Sequence, residues 1–164
     1  MAITDPAELF LYDLSVQYDA EAKAAALLGA IRDRVGDGPL AESIQREEQH
    51  AQNRLRELDA CFGDLRSTPA NASCETVDGM HREFDRFVSL NPAYDALQMY
   101  AAGAAQKFSR FGVGSYRSLV DEAMQMGETG VVQRLQTNLL RVERCASKME
   151  CVKHDVTGKV LAPV

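Results

Sequence analysis

Apolar residues recur at intervals of three and four from Phe10 to Met149, and nowhere do they sustain the alternation of a half-buried strand. That periodicity restricts the chain to helices packed on helices, and local punctuation divides it into five segments. Asp5 suits an N-cap, with Pro6 in the first turn and Glu8 near the positive end of the helix dipole; Gly36-Asp37-Gly38 should end this first helix. Pro39 opens a second helix to about Phe62, and the stretch GDLRSTPANAS supplies turn residues after it. A shorter helix over about residues 69–90, with Val77, Met80, Phe84, Phe87 and Val88 on its buried side, would carry the chain across the bundle. Asn91-Pro92 restarts a long helix to about Met126, despite Gly112 and Gly114, each of which costs up to ~1 kcal/mol against Ala. A last helix is expected from about Glu128 to Lys153, followed by an extended tail from about residue 154 to 164. The expectation is an all-α fold of four long helices plus one shorter crossover helix, in a single domain over residues 1–164.

Charge narrows the function classes. With 18 Lys+Arg against 24 Asp+Glu, the formal charge of -6 argues against a nucleic-acid partner. No apolar run approaches the roughly 18 residues of a membrane span. The opening MAITDPAELF lacks the basic and apolar regions of a leader, so the expected location is cytoplasmic. There Cys61, Cys74, Cys145 and Cys151, which form no C-x-x-C pair, should stay reduced, most simply as small apolar residues.

Chemistry concentrates on two helix seams. The first runs Phe10, Leu14, Gln17, Glu21, Ala24, Leu28, Ile31, which puts a carboxylate among core positions. The second runs Leu40, Ile44, Ala51, Leu55, Leu58, Phe62; Glu47 falls within it with His50 at its edge on the Glu47 side, while Glu48 lies near the stripe on its opposite side, so periodicity alone does not choose between the two glutamates. Burying an ionised carboxylate costs several kcal/mol unless a cation or donors compensate, so Glu21 and Glu47 on facing seams call for a shared positive partner. A divalent metal would serve. One Glu on one helix and a Glu-x-x-His on the next form half of the ligand set of ferritin-like carboxylate proteins, which makes Glu21, Glu47 and His50 candidate metal ligands.

The runs LFLYDLSVQYDAEAKAAALL, REEQHAQNRLREL, DGMHREF and DALQMYAAGAAQKFSRFGVGSYRSL, in that order, resemble the YciE/YciF-type ferritin-like proteins over about residues 5–149. The resemblance implies a ferritin-like four-helix bundle, a stress-associated role, a homodimer and a di-iron or similar centre. The second half-site departs from the family pattern. Where relatives carry a run like K-V-E-H-Y-E, this chain has Lys107-Phe108-Ser109-Arg110-Phe111-Gly112; where the last helix of relatives is acidic, it has Leu140-Arg141-Val142-Glu143-Arg144. Two close metals normally meet several carboxylates, so the remaining ligands suggest at most one weakly held Fe or Mn ion, or no metal at all. Alternatively Lys107, Arg110 or Arg141 supplies the positive charge, making a buried salt-bridge cluster. Three functions follow as expectations. The first is a bundle with a degenerate di-metal centre that acts through binding or assembly. The second is a working Fe or Mn oxidase or peroxide-consuming protein using Glu21, Glu47, His50 and a ligand such as Glu143. The third is a binding module for a protein partner or a small apolar ligand, the latter in a cavity beside Gly112 and Gly114.

Overall fold

The computed structural model describes residues 2–163, and among these every regular element is an α-helix. They are α1 (Pro6–Val35), α2 (Pro39–Asp64), α3 (Glu75–Val88), α4 (Tyr94–Gln125) and α5 (Thr129–Leu161). The first helix starts as its sequence requires: Asp5 accepts a hydrogen bond from the Glu8 amide, and Pro6 occupies the first turn. Gly36 follows at φ 69°, a conformation that favours glycine, and stops it.

Two antiparallel hairpins, α1 with α2 and α4 with α5, close into a four-helix bundle in which α2 lies beside α5 and α1 beside α4. Helix α3 crosses over α1 and α4. It buries Val77 and Phe84, and Phe87 stacks on Tyr100 of α4 at 3.7 Å between ring centroids. Its approach segment is tied to α1. Ser15 accepts from the Ala70 amide and Asp19 from the Cys74 amide, while Lys23 bridges Asp19 and Asp78. That segment is not helical, so the crossover helix begins at Glu75 and not near residue 69. The hydrogen bonds to Ser15 and Asp19 satisfy its amides without a helical turn.

The C-terminal expectation also needs correction. Helix α5 continues to Leu161, where an extended tail from about residue 154 was expected. Val156 packs on the core cluster that contains Val35 and Leu40, so tertiary burial outweighs the weak helix propensity of Thr157 and Gly158.

Gly112 explains why α4 tolerates glycine. A Cβ there would stand 2.8 Å from Val142 Cγ2 on α5, so the missing side chain lets the two helices close. Gly114 is exposed with open space around it. The expected cavity beside these residues is therefore filled at Gly112 by Val142.

The core has two apolar regions, one around Phe10, Leu58, Tyr116 and Leu135 and the other around Leu28, Ile44, Phe84 and Ala102. At their junction lie buried polar side chains from all four long helices.

Candidate functional site

Glu21 on α1 and Glu47 on α2 converge as their seams predict, and each is almost fully buried, at 4% and 2% exposure. Between them lies Arg54. Seven residues beyond Glu47, it returns to the same face of α2 two turns later, and it is 0% exposed. Its Nε donates to Glu21 Oε1 at 2.7 Å and its Nη2 to Glu21 Oε2 at 3.2 Å, a bidentate fork, while Nη2 also donates to Glu47 Oε1 at 2.9 Å. Burial alone would push the guanidinium pKa down, but the charge of Glu21 and then of Glu47 outweighs it and holds Arg54 above its usual range.

The second hairpin completes the cluster with neutral groups. Tyr116 on α4 donates its hydroxyl to Glu21 Oε1 at 2.8 Å, and Gln17 Nε2 reaches the same oxygen at 3.3 Å. Asn138 on α5 donates to the backbone carbonyl of Arg54 at 3.0 Å and to the Tyr116 oxygen at 3.3 Å. Burial first, and the adjacent Glu21 charge second, raise the Tyr116 pKa well above the ordinary phenol value. At the outer edge of the cluster sits Cys145, half-buried, whose thiol is pushed up to about 12 by burial and by the charge of Glu47. It is an unreactive thiol in this state.

The cations expected to fill this position lie elsewhere. Lys107 pairs with Glu83 at 3.4 Å, Arg110 pairs with Glu150 on the surface, and Arg141 stands 4.0 Å from Glu57. Each is at least a third exposed. Glu143, the alternative acidic ligand, pairs with Arg117 at 2.9 Å. His50 is exposed on α2 and turned toward α5, where it and Glu47 both line a small surface cleft beside Cys145.

The donor set bears on the expected di-metal centre. Both Glu21 oxygens and one Glu47 oxygen already accept from the guanidinium, and the groups arriving from α4 and α5 are a phenol and an amide. A metal in the interval would have to displace Arg54. Among the described residues, no three His, Cys, Asp or Glu side chains converge as a metal-binding group. These residues do not fit a two-metal centre.

Comparison with known proteins agrees with the all-helical fold. Residues 5–162 match the family described as "Domain of unknown function (DUF892)". The chain belongs to this family. Three solved structures share the fold. The E. coli stress protein YciF is 16% identical with a TM-score of 0.90, covering 96% of this chain and 99% of that one. YcfI from Rhodopseudomonas palustris is 22% identical with a TM-score of 0.85, covering 90% and 94%. A protein from Xanthomonas campestris pv. campestris is 19% identical with a TM-score of 0.76, covering 96% and 97%. At these identities the likeness establishes the YciF-type ferritin-like bundle. No curated protein matches the sequence.

Arg54 was legible in principle. The steps Glu47, Ala51, Arg54, Leu58 run four, three, four, which is the spacing that identified the seam itself. Reading Leu55 into the stripe hid it, although Leu55 is only half-buried. Tyr116 and Asn138 carry weaker signals, since a single tyrosine or asparagine on a seam also serves as packing or as an isolated hydrogen bond.

Proposed function

We propose that this DUF892 chain is a non-catalytic member of the ferritin-like bundles, in which the Glu21–Arg54–Glu47 cluster stands in place of the family's expected di-metal centre. The protein then acts by binding or assembly, as a cytoplasmic homodimer in a stress-associated role. The observation that carries this reading is Arg54, fully buried and hydrogen-bonded to both carboxylates. A guanidinium is permanently charged, so it supplies at every physiological pH the compensation that metal ions would otherwise supply. The stress-associated element rests on YciF, which is a stress protein with this fold.

Metal analysis of protein purified from iron- or manganese-supplemented cells tests the reading, together with its sedimentation behaviour. Far less than one equivalent per chain, and a dimer, are expected. Close to two equivalents per chain would overturn it.

A competing reading keeps one weakly held Fe or Mn ion on Glu47 and His50, with Glu21 nearby, in an oxidase or peroxide-consuming protein. What favours it is the cleft that Glu47 and His50 line together. It requires a metal-dependent optical signal that both Glu47→Ala and Glu21→Ala abolish.

A further inference from the structure

Outside the buried cluster, the outer face of α5 and the adjoining edge of α2 form an open groove of about 860 Å³. Its walls carry Arg141, Arg144 and Lys148 from α5 and His50 from α2. The one carboxylate there, Glu143, is engaged by Arg117 of α4, and Arg144 and Lys148 make no ion pair among the described residues. The groove thus holds three of the 18 bases and one of the 24 acids, which leaves 15 against 23, a formal -8, on the rest of the chain. The groove is a local reversal of the sign of the molecule. Its lining is also partly apolar: Leu140 is 57% exposed within it, beside Cys145 and the exposed Cys151.

Resting on the proposal that the protein acts by binding, we infer that this α2–α5 groove docks an acidic, amphipathic peptide segment of a partner protein. Charge complementarity selects the sign. Leu140 and the two thiols give an apolar side chain a seat, which a bare polyanion does not need. The formal -8 elsewhere repels a long nucleic acid that extends beyond the groove. A second copy meeting this groove by two-fold symmetry would set like charges against each other, so the self-association surface of a homodimer lies on another face.

The test uses the whole chain and a fluorescein-labelled helical peptide built from Glu-Glu-Leu repeats, with a Lys-Lys-Leu peptide and a labelled single-stranded oligonucleotide as comparators. Binding of the acidic peptide alone is expected, weakening with added salt. Amide chemical-shift changes should concentrate on His50 and on residues 140–151. The variant Arg141→Glu/Arg144→Glu/Lys148→Glu should lose roughly tenfold or more in affinity, while Arg82→Glu/Arg86→Glu on α3 should lose little. Circular dichroism on each variant separates misfolding from lost contacts. Equal affinity in both variants, no binding of the acidic peptide, or preference for the oligonucleotide would each overturn the inference. Metal content is read independently, so a failure here is distinguishable from a failure of the reading it rests on.

Discussion

Replacing Arg54 by Met removes the central charge while keeping most of the side-chain volume. Glu21 Oε2 and Glu47 Oε1 both meet Arg54 Nη2, at 3.2 and 2.9 Å, so their separation cannot exceed the sum of those distances, about 6 Å. Two unit charges about 6 Å apart repel by about 3 kcal/mol at an effective dielectric of about 20. The carboxylates remain buried, and breaking a buried ion pair on one side typically costs ~3–5 kcal/mol. Against a domain stability of ~5–15 kcal/mol, that is a large fraction. In the variant, one carboxyl escapes the repulsion by holding a proton that the unfolded chain releases. The folded variant then binds more protons than its unfolded state, so its deficit grows as pH rises and shrinks as pH falls toward about 5. Urea unfolding at pH 7.5 and at pH 5, for wild type and Arg54→Met, measures this directly. Arg54→Met/Glu21→Gln/Glu47→Gln should recover most of the loss at pH 7.5, because no buried charge is left unpaired. A deficit under about 1 kcal/mol for Arg54→Met, the same at both pH values, would refute the assignment of Arg54 as the compensating charge.

Other substitutions probe the remaining contacts. Tyr116→Phe leaves Glu21 without one donor and Asn138 without one acceptor, and should lower stability by ~1–3 kcal/mol in the same urea assay. Because the fold holds the Tyr116 pKa well above that of the unfolded chain, its contribution is present below about pH 10 and is lost as pH rises beyond it; ultraviolet titration should show one fewer tyrosinate in the native protein than after unfolding. Gly112→Ala should destabilise by ~1–3 kcal/mol through its clash with Val142, and Val142→Ala in the same chain should relieve part of that strain; additive losses in the double variant would contradict the close approach. Ellman's reagent should modify Cys151 rapidly in the native protein and the other three slowly: Cys61 and Cys74 because burial removes access and raises both thiols, and Cys145, which lines the groove, because its thiol is pushed up to about 12 and little thiolate is present. Lys23→Met, by releasing Asp19 and Asp78, should speed modification of Cys74 without changing the rate at Cys61.

The sequence by itself determined the elements and their faces. Capping is local: Asp5, Pro6, Gly36 and Pro39 act within one turn, and they set the ends of α1 and the start of α2 where the sequence places them. A seam is periodic, so every residue from Phe10 to Ile31 expected on the inner face of α1 is buried, Glu21 included. Tertiary structure decided what meets across the bundle. A long arginine on a seam can either stay inside or carry its head to water, and only the distance between facing helices decides which. Arg54 stays in because Glu21 comes within 2.7 Å from the other half of its hairpin, whereas Arg110 and Arg141 find carboxylates at the surface. Helix ends without a strong local stop, such as the start of α3 and the end of α5, were settled in the same way, by contacts made far along the chain. Periodicity leaves Glu47 and Glu48 both eligible for the seam; the packing of α1 on α2 buries Glu47 against Arg54, pairs Glu48 with Arg32 and leaves His50 facing the groove.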